Sequence, residues 1–164
     1  MLMADAFPNS TFIGYDFHET SIAEANEHAR AHKLGNLSFE VARAKELPRS
    51  GFDLVTFFDS LHDMGDPRGA ASAVKKALKP DGTWMIVEPM AADSVAENLN
   101  PIGRIFYSAS TMICVPTSKA QEVGTALGAQ AGEKRLREVI EGAGFTRVRR
   151  ATETPFNLVL EARP

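Results

Sequence analysis

Two stretches near the C-terminus constrain the fold more than any other feature. Residues 145–151 and 156–161 both read as strands, and only Thr152-Glu153-Thr154-Pro155 separates them. A parallel crossover needs a dozen or more residues, so this pair is expected to form an antiparallel hairpin. The chain before the hairpin follows another rhythm. Residues 11–16, Thr-Phe-Ile-Gly-Tyr-Asp, form a short apolar strand that ends on an acid. A helix is expected next, with Thr20 or Ser21 as N-cap and Glu24 placed to back-bond. Ile22, Ala25, Ala29 and Leu34 recur along it, and Gly35-Asn36 stops it. Residues 37–42 are the next strand, then Phe52-Asp53-Leu54-Val55-Thr56-Phe57-Phe58, whose continuous apolar character suits a parallel strand covered on both faces. His62-Asp63-Met64-Gly65-Asp66-Pro67 is a loop, residues 68–79 a helix, Pro80-Asp81-Gly82 a tight turn and residues 83–88 a strand. Residues 2–7 look like the last turns of a helix that Pro8 ends. Strand, helix, strand, strand, helix, strand makes the fold class α/β, a doubly wound sheet.

Residues 90–130 break the pattern. Ile102, Ile105, Phe106 and Ile113 can line a helical face with Met112 beside them, and residues 120–127 suggest a weak helix. An insertion rich in Met, Phe and Tyr suits a substrate pocket or a dimer contact, and equally a plain packing segment. Residues 132–144 then form a clear helix with Leu136, Val139, Ile140 and Ala143 on one face. With no internal repeat, residues 1–164 are expected to be a single domain.

Composition narrows the function classes. A net charge of -3 argues against a nucleic-acid-binding surface, which is usually basic. The local cluster Arg147, Arg149 and Arg150 reads as a solvated strand edge. The single cysteine, Cys114, cannot form an intrachain disulfide and fits a reducing, cytoplasmic compartment. No zinc-ligand spacing is present, so no metal is expected, and Cys114 reads as structural. No apolar run has membrane-spanning length, and Met1-Leu2-Met3-Ala4-Asp5 is not the start of a signal peptide.

An acid at the tip of a strand in such a sheet has a use: one carboxylate can accept from two ribose hydroxyls, and Asp16 is so placed. Nicotinamide dehydrogenases use the same device, and the residue can also be an ordinary loop acid. The terminal hairpin separates the possibilities. Phe12-Ile13-Gly14-Tyr15-Asp16-Phe17, the run from Phe52 through Leu61-His62-Asp63-Met64-Gly65-Asp66-Pro67, the Leu78-Lys79-Pro80-Asp81-Gly82-Thr83 turn leading to Glu88-Pro89, and Gly142-Ala143-Gly144-Phe145 together resemble the class I S-adenosylmethionine-dependent methyltransferase fold. The likeness is greatest to bacterial small-molecule enzymes whose catalytic domain follows a winged-helix domain. A dehydrogenase reading lacks its Gly-x-Gly-x-x-Gly and conflicts with the hairpin.

The resemblance implies a Rossmann-like sheet, S-adenosyl-L-methionine as cofactor and a small-molecule methyl acceptor. Asp16 would hold the ribose. Phe17 and Phe58 would pack on the cofactor, or else in the core. Asp59 would approach its methionine end. Arg43-Ala44 stands where relatives often carry an adenine-contacting acid, so both would border the cofactor; Ala44 would offer its N–H, and Arg43 would either approach the cofactor or simply be solvated. His62 is the candidate base, or a loop histidine bonding backbone, while Asp63 and Asp66 are expected to cap the next helix. The family opens with a strand and a glycine-rich loop, and this sequence begins after them. The expectation is therefore an N-terminally truncated domain lacking the first strand and glycine loop. It would compensate by joining the family's second and fourth strands or by pairing as a homodimer. The competing reading is a methyltransferase-like fragment or dimerisation module that no longer binds cofactor.

Overall fold

The computed structural model describes residues Met1–Pro164 and divides the chain into two compact units, Met1–Pro48 and Arg49–Pro164. The first contains α1 (Leu2–Ala6), β1 (Phe12–Asp16), α2 (Glu19–Ala31) and β2 (Leu37–Val41). β1 and β2 pair in parallel, with Phe12 opposite Leu37 and Asp16 opposite Val41, so the unit is a strand–helix–strand crossover. Gly14 is required at its place in the ladder. A Cβ there would lie 2.4 Å from a ring carbon of Phe39, the residue opposite it. Asn26 of α2 serves β2 as a substitute strand: its Nδ2 donates to the Phe39 carbonyl at 2.8 Å and its Oδ1 accepts the Phe39 N–H at 3.0 Å.

The ends of α2 differ from the sequence expectation. His18 is the N-cap, its Nδ1 accepting from the Ser21 N–H at 3.4 Å, so the helix starts before Thr20 and Ser21. An imidazole nitrogen replaces the usual hydroxyl acceptor. The helix stops at Ala31, and Lys33 (φ 56°) takes the left-handed position that was expected of Gly35. Asn36 instead gathers the first turn of the unit, donating from Nδ2 to the carbonyls of Ala4 at 2.9 Å and Ser10 at 3.0 Å.

The second unit contains β3 (Phe52–Phe58), a 3₁₀ turn (Leu61–Asp63), α3 (Pro67–Ala77) and β4 (Leu78–Pro89). α4 (Pro101–Ala109), a π-helical turn (Ser110–Cys114), α5 (Val115–Lys119), α6 (Gly132–Gly142), β5 (Arg147–Glu153) and β6 (Asn157–Arg163) follow. The sheet order is β3-β4-β6-β5, with β3 and β4 parallel and β6 antiparallel to both its neighbours. The terminal hairpin is therefore present as expected. Thr154 closes it by donating its N–H to the Asn157 carbonyl at 2.7 Å and accepting the Asn157 N–H on Oγ1 at 2.9 Å.

The core of this unit is set by period-two burial along β4. Trp84, Ile86 and Glu88 are all buried on one face, against Leu158, Leu160 and Ala162 of β6. Trp84 meets Phe57 edge-on at 5.1 Å and Phe145 at 5.3 Å. α3 and α6 pack together, with Val74, Leu136 and Ile140 buried. The Lys79-Pro80-Asp81-Gly82 segment, expected as a tight turn before the strand, is a bulge within it: pairing passes from Phe52–Leu78 directly to Leu54–Thr83. The weak helix expected over residues 120–127 is absent. Val123 (φ 73°), Gly124 (φ 63°) and Ala126 (φ 55°) all adopt left-handed backbone, which a right-handed helix excludes. The expected arginine edge is observed on β5, where Arg149 pairs with Glu161 and Arg150 with Glu133 and Glu153. No helix is long and apolar enough to cross a membrane.

Candidate active site

Four of the residues singled out from sequence lie in the first unit, at the C-terminal ends of its two parallel strands. That end is where open α/β sheets receive ligands. The Ala42 N–H donates to the Asp16 carbonyl at 2.9 Å, holding the two strand ends together. The Asp16 side chain is exposed, and its Oδ1 accepts the His18 N–H at 2.8 Å. Phe17 is 68% exposed, so it does not serve the core. Arg43 is solvated, as one of its readings holds, and its carbonyl accepts the Glu46 N–H at 2.9 Å; Ala44 is half-buried.

The other three lie in the second unit, at and just after the C-terminal end of β3. Phe58 is 55% exposed and is likewise not a core residue. Asp59 adopts a left-handed backbone (φ 46°), which a short polar side chain tolerates. Its N–H donates to the Val87 carbonyl at 2.8 Å, and its carboxylate accepts from Asn157 Nδ2 at 3.1 Å. This reversal sends the chain into the 3₁₀ turn above the end of β4.

Glu88 organises that turn. Its Oε1 accepts the N–H groups of Ser60 at 3.2 Å and Leu61 at 2.8 Å, and its Oε2 lies 2.5 Å from His62 Nδ1. Glu88 is 1% exposed and His62 4% exposed. His62 thus bonds a carboxylate, not backbone, through its ring. A carboxylate only accepts, so Nδ1 carries the proton and Nε2 presents the lone pair of the neutral ring. Nε2 lies 3.3 Å from Asp63 Oδ1. Burial, the largest single influence on His62, favours the neutral ring. The Glu88 hydrogen bond and charge, with Asp63 and Asp59 behind it, outweigh burial and raise its pKa above the ordinary histidine value.

Of the two acids expected to cap α3, only Asp66 does so, its Oδ1 accepting the Gly69 N–H at 2.8 Å. Asp63 faces His62 instead, and also faces Cys114 of the π-helical turn. Burial and the Asp63 carboxylate both push the Cys114 thiol up. Cys114 is buried, with 6% of its surface exposed. The residue 90–130 segment therefore brings one side chain to His62, while Ile105, Met112 and Ile113 remain exposed. Sequence reasoning missed Glu88 as a functional residue. The signal was available: an acid two residues beyond Ile86 and four beyond Trp84 shares their buried face.

A mixed α/β sheet closed by a terminal antiparallel hairpin, with a carboxylate-held histidine after a parallel strand, places the chain in the Rossmann-like class. The family described as "Methyltransferase domain" matches residues 1–144, and the chain belongs to that family. Among curated relatives, the ubiquinone biosynthesis O-methyltransferase of Neisseria meningitidis serogroup A is 31% identical over 72 residues, covering 42% of this chain and 30% of that protein. The uncharacterized methyltransferase YcgJ of Bacillus subtilis is 28% identical over 97 residues, covering 57% of this chain and 38% of that protein. The chain thus spans well under half the length of these relatives. Among solved structures, PigF with SAH aligns with a TM-score of 0.74 at 15% identity, over 99% of this chain and 46% of that one. The mitomycin 7-O-methyltransferase MmcR aligns with a TM-score of 0.70 at 20% identity, over 99% and 45%. These structural likenesses establish the fold.

Proposed function

We propose that this domain takes part in S-adenosyl-L-methionine-dependent methyl transfer to a small-molecule hydroxyl, with His62 as general base. The observation that carries the reading is the 2.5 Å contact between His62 Nδ1 and Glu88, which leaves Nε2 as the proton acceptor. The cofactor, when bound, supplies a sulfonium methyl that is already activated for displacement. A base is needed only where the acceptor must lose a proton as it attacks, so a committed base argues for an oxygen acceptor. The printed names of the Neisseria relative and of MmcR, both O-methyltransferases, agree with that choice.

The residues fit the cofactor at the points they reach. In the first unit, the exposed carboxylate of Asp16, at the C-terminal end of β1, suits a ribose diol, and the exposed ring of Phe17 suits an apolar face of the cofactor. Ala44, in the same unit, would offer its N–H to adenine. His62 takes the acceptor's proton on Nε2. The imidazolium that forms is stabilised between the Glu88 and Asp63 carboxylates. Positioning supplies much of the remaining rate enhancement, up to roughly 7–11 kcal/mol in well-oriented systems.

The test combines calorimetry with S-adenosylhomocysteine and a transfer assay using methyl-labelled cofactor against a panel of phenols and hydroxylated small molecules. Binding with label transfer is expected. His62→Ala should retain binding and lose turnover by about 10²–10⁴-fold. Silence in both assays would discard the catalytic reading in favour of a module that no longer uses the cofactor. Full activity of His62→Ala would remove the base role alone.

A further inference from the structure

His62 Nε2 and Asp63 Oδ1 lie 3.3 Å apart, and in the neutral ring both are lone-pair donors. The Asp63 oxygen is buried and is approached by no nitrogen or oxygen donor; the group facing it besides His62 is the Cys114 thiol. The sulfur of Cys114 joins them: the three ligand atoms lie within 4.8 Å of one another. A proton shared between two acceptors is one answer to such an arrangement. A cation is the other.

We propose that His62 Nε2, Asp63 Oδ1 and Cys114 Sγ form a three-ligand site for a thiophilic divalent cation of the zinc class. Zinc bonds of about 2.0–2.2 Å to nitrogen and oxygen place two tetrahedral ligands roughly 3.3–3.5 Å apart, which matches the nitrogen–oxygen edge observed here. A thiolate at about 2.3 Å would stand roughly 3.6 Å from either, so Cys114 closes in by up to about 1.2 Å on binding. The π-helical turn that carries Cys114 is the kind of helix irregularity that accompanies functional positions. Glu88 completes the arrangement as the outer carboxylate on Nδ1, fixing the tautomer and making Nε2 more basic toward a metal. Mixed imidazole, thiolate and carboxylate ligation suits zinc and excludes magnesium, which requires oxygen ligands. The Asp63 side chain is 36% exposed and opens the way in, and the fourth coordination position remains available to water or an acceptor oxygen. On coordination the Cys114 S–H bond breaks, the sulfur keeps the electron pair and the proton passes to solvent. The site stands on side-chain geometry and does not require His62 to act as a base. A metal on Nε2 would, however, occupy the lone pair that base catalysis uses.

Cobalt(II) titration of the full chain tests this, because Cys114 is the single cysteine. A near-ultraviolet thiolate-to-cobalt charge-transfer band can therefore arise from no other sulfur. The expected result is a saturable band at one cobalt per chain, displaced by zinc. Cys114→Ser should abolish it, and Asp63→Asn should weaken cobalt affinity by about tenfold or more. Asp63 is the less buried ligand, so the second variant carries the test if the first does not fold. Cobalt binding without the band, as the exposed His28 of α2 and His32 just after it could give, overturns the proposal. So does a band unchanged in Asp63→Asn.

Discussion

Replacing Glu88 by glutamine separates the charge of this residue from its place in the fold. In the wild type one carboxylate serves three donors: the N–H groups of Ser60 and Leu61 on Oε1, and His62 Nδ1 on Oε2. Glutamine has one acceptor oxygen and one NH₂ group. With its oxygen on the two backbone N–H groups, its NH₂ faces Nδ1, which must then accept, and the ring proton moves to Nε2. The opposite orientation keeps the wild-type tautomer but leaves two buried N–H groups facing a donor, at a cost of about 1–3 kcal/mol each. The first orientation therefore wins by several kcal/mol, and the nitrogen needed as a base becomes a donor. The expected loss in turnover is about 10²-fold or more, and the equivalent change in the serine-protease triad costs roughly 10⁴ through the wrong tautomer. The assay is S-adenosylhomocysteine release, read beside ¹⁵N imidazole shifts of His62. A variant that keeps near wild-type turnover, or one that loses turnover with the proton still on Nδ1, refutes the reasoning.

Three further outcomes are expected. Glu88→Ala leaves the Ser60 and Leu61 donors unpaired inside the fold, so it should destabilise by about 2–6 kcal/mol in urea denaturation; a loss within experimental scatter would contradict the cradle. Asp16→Asn removes the charge from the ribose acceptor and should weaken S-adenosylhomocysteine binding by about 1.5–3 kcal/mol in calorimetry, with unchanged affinity moving the ribose site elsewhere. Burial opposes the ionised Glu133, but Arg137 and Arg150 outweigh it and hold its pKa below the ordinary value. That stabilisation is complete above the unfolded-state pKa and is lost as pH falls through the folded one. Glu133→Gln should therefore flatten the acid side of the Tm profile, and an unchanged profile would remove Glu133 from acid unfolding.

Much of the fold is legible in the sequence because its signals are local. The hairpin follows from the length of one link and β3 from a continuous apolar run, but β3 is not covered on both faces as expected: it lies at the edge of its sheet, with Leu54 and Phe58 exposed. Signals that depend on a competing partner mislead. Thr20 and Ser21 are good N-caps, yet His18 reaches the Ser21 N–H first. Residues 120–127 have helical composition, but left-handed backbone at Val123, Gly124 and Ala126 breaks the helix, and the chain returns so that Gly128 donates to the His62 carbonyl at 3.2 Å. The candidate site divides in the same way. His62 stands out by residue type and loop position, whereas Glu88 is visible only once β4 is read with a period of two. Cys114 gives no signal, because 50 intervening residues separate it from Asp63 at no metal-ligand spacing, and only the π-helical turn joins them.

The most direct measurement of the His62 assignment is the pH–rate profile of S-adenosylhomocysteine release for wild type and His62→Gln. A base must be deprotonated to act, and the carboxylates around His62 raise its pKa. The wild-type rate should therefore climb through a single ionisation on the alkaline side of the ordinary histidine value, and the variant should lose both that limb and its turnover. A variant that turns over with the same limb would show that another group takes the proton.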